Sequence, residues 1–129
     1  MSDPTSPHHQ DDGSPLAPLA DPIDPRAFFD ADLRAGTVIA VDPFPEARTP
    51  AWRLRVDFGP LGVRASSARL TDLYAARDLL GRQVVALVNV PPLQIGPFRS
   101  ACLVTGFDTP DGVVVTTVER PVPNGARLH

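Results

Sequence analysis

From residue 52 to residue 58 the chain alternates with a period of two. Trp52, Leu54, Val56 and Phe58 are apolar, and Arg53, Arg55 and Asp57 are charged. That pattern predicts a strand with one face in a core and the other in solvent. A looser alternation precedes it over residues 33 to 41, where Leu33, Thr37, Ile39 and Val41 oppose Arg34, Val38 and Ala40. Gly36 lies inside that strand and predicts a bulge or tight bend. After the turn Gly59-Pro60-Leu61-Gly62, a third strand sets Val63, Ala65 and Ser67 against Arg64, Ser66 and Ala68. Thr71 is placed to cap a helix over residues 72 to 80, ended by Gly81. The run from Val84 to Val88 has no polar alternation, which predicts cover on both faces, by the interior on one side and by a helix or another subunit on the other. A stiff Pro91-Pro92 loop leads to a fifth strand near residues 102 to 106. A hairpin through Asp108-Thr109-Pro110-Asp111-Gly112 then enters a last strand over residues 113 to 118.

Short strands with one helix between the third and the fourth predict an all-β fold. The architecture is a five-stranded barrel of the oligonucleotide/oligosaccharide-binding (OB) type with a C-terminal β extension. Before it, Asp24-Pro25 predicts a short capped helical turn that carries Phe28 and Phe29 into the core. Residues 42 to 50 form a proline-stiffened loop.

Composition adds a boundary and several exclusions. The 129 residues hold 16 Pro and 9 Gly, with 12 Lys plus Arg against 15 Asp plus Glu, giving a net charge of -3. All twelve bases are arginine, so no Schiff base, pyridoxal-phosphate anchor or phosphate-loop lysine is available. The histidines, His8, His9 and His129, lie at the chain ends, which removes imidazole from any interior acid–base pair or metal site. Cys102 is the single cysteine, so an intrachain disulfide and a thiolate metal cluster are excluded. A non-enzymatic, cytoplasmic protein without a cofactor or metal is expected. Residues 1–21, rich in Pro, Asp and Ser, predict a flexible acidic leader. Residues 22–129 then form the single domain, and the adjacent His8 and His9 are not expected to hold a metal.

The body resembles a known family, the CsaA-type export chaperones within the wider tRNA-binding-domain family. The resemblance rests on six segments in order: Asp32-Leu33-Arg34-Ala35-Gly36-Thr37-Val38, Phe44-Pro45-Glu46-Ala47-Arg48-Thr49-Pro50-Ala51, Asp57-Phe58-Gly59, Ser66-Ser67-Ala68, then Asn89-Val90-Pro91-Pro92 with Gln94-Ile95-Gly96-Pro97-Phe98, and Pro121-Val122-Pro123-Asn124-Gly125. It implies a homodimeric barrel that binds tRNA-like RNA and holds unfolded precursor polypeptides for the secretion machinery. RNA recognition without chaperone activity is the alternative. The sequence departs from the family at usually basic positions, which here are Asp72, Leu73 and Leu93, and Arg69 stands where glutamine is common.

Candidate contacts follow. Arg53, Arg55 and Arg64 are expected to form one outward guanidinium face, suited to phosphate oxygens. Ser66 and Ser67 offer hydroxyl donors, and neither has a base beside it to make it a nucleophile. In the 89–100 loop, Asn89 and Gln94 supply amides, Phe98 an apolar plate for a base or side chain, and Arg99 and Ser100 a polar rim. Arg34 and Arg69 complete the RNA- and peptide-binding set. Cys102 and Trp52 are expected to pack rather than to bind.

Overall fold

A computed structural model of the chain describes residues 16–129. His8, His9 and the first fifteen residues of the predicted leader lie outside the described residues.

Strand β1 (Leu33–Pro43) is the spine of the fold. Its second half pairs antiparallel with β2 (Trp52–Asp57), and its first half with β4 (Gln83–Leu87). Strand β3 (Val63–Ala68) flanks β2, and the short β7 (Leu103–Val104) flanks β4, giving the order β3-β2-β1-β4-β7. Ala101 N–H donates to the Ala65 carbonyl at 2.8 Å and brings the far edge back onto β3. The result is a nearly closed, five-stranded barrel of the OB type, as the strand pattern predicts. Two hairpins extend it: β5 (Leu93–Ile95) with β6 (Phe98–Ser100), and β8 (Gly106–Thr109) with β9 (Gly112–Val115). The last residues run beside the first half of β1, where Ala35 N–H donates to the Ala126 carbonyl and Gly125 N–H to the Ala35 carbonyl.

Leu54, Val56, Phe58, Leu79, Val84 and Val38 are at most 1 % exposed. Each such side chain contributes roughly 1.5–3 kcal/mol through removal from water. The alternation read in β2 is therefore the alternation of the barrel wall. In β1 the faces differ from expectation. Val38 is in the core, whereas Ile39 is 46 % exposed. The register with β2 slips between Val38 and Ala40, so Ile39 is the extra residue of a β-bulge, and Val41 returns to the core side after it. Gly36 is not the bulge. Its hydrogen faces Val56 and Phe58, and a Cβ there would lie 2.6 Å from Val56 Cγ1.

Other expectations are corrected as well. Asp24 caps a 3₁₀ helix over Pro25–Asp30 through a bond from Arg26 N–H, but Phe28 and Phe29 do not enter the core. They are 39 % and 50 % exposed and pack edge-on against each other, because neighbouring positions of a three-residue turn point in different directions. The helix α1 (Ala76–Leu79) is one turn long and starts beyond Thr71. Its first turn is held by the Asp78 carboxylate, which accepts from Ala75 N–H at 2.8 Å. The cover predicted for β4 comes from within this single chain, where Val84, Val85 and Ala86 are all buried and Leu79 of α1 shares the core cluster of Val84 and Ala86, so another subunit is not needed for it. Among the described residues no helix is long and apolar enough to cross a membrane.

Candidate RNA- and polypeptide-binding face

The outward face of β2 and β3 pairs Arg53 with Ser67 and Arg55 with Ala65. Two segments flank it, the 44–51 loop and the β5–β6 hairpin. The hairpin stands where a plain loop is expected. Gly96 supplies φ 56 at the first central position of its two-residue turn, as primed hairpin turns require. Between the end of β3 and this hairpin runs a groove of about 430 Å³, lined by Ser67, Arg69, Leu93, Ile95, Ser100 and Leu103 among others. A smaller recess of about 200 Å³ shares Ser67, Arg69 and Ile95 and reaches Arg48 and Thr49. Strands two and three with these two flanking segments are the surface that OB barrels use for oligomeric ligands.

A three-residue clamp closes one end. The Arg53 guanidinium lies 5.8 Å from the Phe44 ring centre and 5.6 Å from that of Phe98, and the two rings meet edge-on at 5.0 Å. Phe44 is buried and Phe98 half-buried. Cation–π and edge-to-face contacts of this kind contribute about 0.5–1 kcal/mol each. They join the 44–51 loop, β2 and the hairpin. Ser100 Oγ accepts from Ser67 N–H at 3.3 Å and ties the hairpin base to β3. Gln94 Nε2 donates to the Gly96 carbonyl, bracing the hairpin tip.

Arg64 does not join Arg53 and Arg55. The register sets it opposite Val56, on the inward side of β3, and its Nη1 donates to the carbonyls of Val88 and Ala101 at 3.1 and 3.4 Å. Strand alternation makes this unavoidable once β2 and β3 pair with Asp57 opposite Val63. Ser66 is fully buried opposite Leu54, so it is a core residue. Asn89 spends both ends of its amide on the 3₁₀ segment, accepting from Asp32 N–H and donating to the Asp30 carbonyl. Arg34 bonds to Asp32 and to the Gly125 carbonyl, which makes it a fastener of the C-terminal segment. The face thus brings together Arg53, Arg55, Ser67, Arg69, Gln94, Phe98, Arg99 and Ser100, and leaves out Arg34, Arg64, Ser66 and Asn89.

Sequence reasoning missed Phe44, Arg48, Leu93 and Leu103. Leu93 and Leu103 are 61 % and 53 % exposed. Leu93 stands between Pro92 and Gln94 and Leu103 between Cys102 and Val104, and neither context reveals that the leucine side chain is exposed. A separate depression of about 510 Å³ includes Thr37, Gln83 and Asn124. Its polar groups are bonded to one another, Thr37 Oγ1 and Gln83 Nε2 both donating to Asn124 Oδ1, so it offers a ligand little.

The family model described as "Putative tRNA binding domain" matches residues 33–127. This chain belongs to that family. Within it the chain is of the CsaA type, being similar to the solved structure of chaperone CsaA from Bacillus anthracis str. Ames. That match has 41 % identity and a TM-score of 0.78, and covers 84 % of this chain and 100 % of that one. The CsaA chaperone protein of Picrophilus torridus matches at 37 % identity and a TM-score of 0.79, with 84 % and 100 % covered. Among curated proteins, the methionine–tRNA ligase of Salinibacter ruber is 36 % identical over 97 residues, 75 % of this chain and 13 % of the ligase. That of Porphyromonas gingivalis is 32 % identical over 96 residues, 74 % of this chain. The chain spans about 14 % of that ligase's length.

In this CsaA-type tRNA-binding domain, the guanidinium groups of Arg48, Arg55, Arg69 and Arg99 make no hydrogen bond or ion pair among the described residues. Unpaired guanidinium groups beside exposed leucines can meet a polyanion or an extended chain. Nucleophilic chemistry has no support here. Burial pushes the Cys102 thiol up to about 11, and the nearby Ser66 hydroxyl and Arg64 charge offset this only in part. No group of acidic, cysteine or histidine side chains among the described residues is arranged to hold a metal ion.

Proposed function

We propose that this protein is a CsaA-type chaperone of protein export, acting in the cytoplasm, that holds extended precursor polypeptides for the secretion machinery in the groove between β3 and the β5–β6 hairpin. The observation that carries this reading is the exposed apolar pair Leu93 and Leu103 on a groove that also holds Arg69. Apolar side chains of an extended client are buried there, while polar or acidic flanks meet the arginines. A second reading, an RNA-binding module for tRNA-like structure without chaperone activity, is favoured by the unpaired Arg48, Arg55, Arg69 and Arg99 and by membership of the tRNA-binding-domain family. Both ligands use one face. Binding through phosphates releases counterions and weakens steeply with salt, whereas apolar burial does not. A competition titration between an unstructured polypeptide and bulk tRNA at two salt concentrations is the test. Mutual displacement, with only the RNA signal abolished by salt, supports the first reading. Binding of tRNA alone leaves the second.

The same reading includes a homodimer. Its support is the exposed Phe28 and Phe29 beside the C-terminal segment, where Arg127 donates to the Phe29 carbonyl and Leu128 is 45 % exposed. Sedimentation at micromolar concentration that finds only a 13.8 kDa species would remove it.

A further inference from the structure

The groove and the smaller recess share Ser67, Arg69 and Ile95, so they continue one another. From that junction the recess runs to Arg48 and Thr49 in the 44–51 loop, and the groove runs past Leu93 and Leu103 to Asp108 on β8. The two ends differ in sign. Arg48 and Arg69 line the recess and no carboxylate does, since Glu46 of the same loop stands against Gly96 at the hairpin tip. At the other end Asp108 is the one carboxylate that lines the groove. Asp72 adds a second beside it, lying against Gly112, one ladder step from the Asp108–Val113 pair.

These charges are not spent on each other. Arg69 and Asp108 line the same groove, yet their side chains make no ion pair or hydrogen bond among the described residues, and the same holds for Arg48 and Asp72. The path between the ends is apolar. Leu93 and Ile95 are two positions apart on β5, so their side chains leave that strand on one side, and Leu103 lines the groove with them. A nucleic-acid strand carries a negative charge on every residue, and along this path it would set phosphates against Asp108, a like-charge contact. An extended polypeptide can place a base at one end, an acid at the other, and apolar side chains at every second residue between them.

We propose that the groove and recess form one two-signed slot for an extended polypeptide segment. A Lys or Arg of the segment lies at Asp108 and Asp72, its alternate apolar side chains lie on Leu93, Ile95 and Leu103, and its acidic residue or C-terminal carboxylate lies at Arg48 and Arg69. The inference rests on the proposed polypeptide-binding function of the groove. It adds that the order of charges along a client, and not only its apolar content, selects the segment and fixes which way round it is held.

The test titrates the full-length protein calorimetrically at 0.15 M salt, where exposed charges more than about 8 Å apart are screened. Three end-blocked peptides share the sequence Ser-Leu-Ser-Leu-Ser, one flanked by Arg and Gln, one by Gln and Glu, and one by Gln at both ends. An exposed ion pair changes affinity about two- to fivefold, so the Arg-flanked and Glu-flanked peptides should each bind tighter than the neutral one by that factor. Asp108→Asn/Asp72→Asn should remove the advantage of the Arg-flanked peptide and keep that of the Glu-flanked one. Arg48→Gln/Arg69→Gln should do the reverse. Glu119→Gln, at the separate depression, changes net charge elsewhere and should alter neither. The same losses in Glu119→Gln would reduce the effect to net charge and overturn the slot. An eight-residue oligouridylate that displaces the Arg-flanked peptide, with an affinity that Asp108→Asn/Asp72→Asn leaves unchanged, would place a polyanion over Asp108 and overturn it as well. Equal affinity of the parent for all three peptides, weakened by Leu93→Ser/Leu103→Ser, overturns the charge order while the groove keeps its polypeptide function. Peptide affinities that Leu93→Ser/Leu103→Ser does not weaken would overturn that function, and the slot with it.

Discussion

The Arg53 guanidinium on β2 sits 5.6 Å from the centre of the Phe98 ring on β6. Through it the wall of the barrel grips a hairpin that has little else to hold it, since β5 and β6 are three residues each. The groove keeps its shape because this contact, the Phe44 ring and the Ser67–Ser100 bond act on the hairpin from different sides.

Phe98→Ala removes both ring interactions at once. We expect stability to fall by about 1–2 kcal/mol as the aromatic and cation–π interactions disappear. Peptide binding should weaken about tenfold, equivalent to ~1.4 kcal/mol, because the hairpin wall of the groove is released. Denaturant melts and peptide titrations check the two parts separately. Unchanged peptide affinity in a folded variant would falsify the placement of the peptide against the hairpin.

The arginines divide into two classes with opposite phenotypes. Arg55→Gln and Arg99→Gln remove exposed guanidiniums without partners, so each phosphate no longer neutralised lowers the salt slope of tRNA binding by roughly one unit, and folding is untouched. Arg64→Gln should keep that slope, because its guanidinium faces the Val88 and Ala101 carbonyls. It should instead cost about 1–3 kcal/mol of stability, the range for leaving buried acceptors without a donor. A reduced slope in Arg64→Gln with parent-like stability would put the polyanion on the other side of β3. Arg77→Gln, on the far helix, is the control and should change neither quantity.

The barrel was legible because β2 alternates cleanly and a wrong register would bury Arg53 and Arg55. The first strand was not legible to the same degree. A bulge at Ile39 reverses which parity faces inward, and nothing in the run Thr37-Val38-Ile39-Ala40 distinguishes the inserted residue. Arg64 was misplaced for a related reason. Charge suggested solvent, while alternation with the buried Ser66 and Ala68 pointed inward, and the long side chain resolves the conflict by reaching the rim and bonding to carbonyls there. The site's clamp was hidden because its three residues come from three elements, and sequence separation says nothing about which rings meet a guanidinium.

The Asp32–Arg34 pair makes the attachment of the C-terminal segment sensitive to acid. Asp32 is 26 % exposed and Arg34 22 % exposed. The bonded Arg34 guanidinium, aided by Arg127 and Arg64, holds the Asp32 carboxyl below its ordinary 3.8, against the opposing effect of burial. A depressed carboxylate contributes stability that is complete above its unfolded value and is lost as pH falls through the folded value. Melting temperatures of the parent and of Asp32→Asn should therefore differ at pH 6 and converge as the pH drops below 3.8. A gap that stays constant down to pH 2 would mean that the carboxylate charge contributes nothing.

Two glycines with nearly the same backbone angle separate strain from close approach. Gly62 has φ 89 and Gly125 φ 92, both in the region that side chains avoid. A Cβ on Gly62 would meet nothing within 4 Å, whereas a Cβ on Gly125 would lie 2.6 Å from the Phe58 carbonyl oxygen. That oxygen is backbone at the end of β2 and has no rotamer to yield. At φ 89 and ψ -175, Gly62→Ala should cost only the conformational term, about 1–3 kcal/mol. Gly125→Ala should cost measurably more, since the C-terminal segment has to lift away from Phe58 to make room. Its signature is local as well as global. The Gly125 N–H to Ala35 and Ala35 N–H to Ala126 bonds should both open, so the amides of residues 35, 125 and 128 should lose hydrogen-exchange protection while those of β2 and β3 keep theirs. Equal losses in the two variants, with the residue 35 and 125 amides still protected, would show that the segment accommodates a side chain there and that the close approach to Phe58 does not hold it in place.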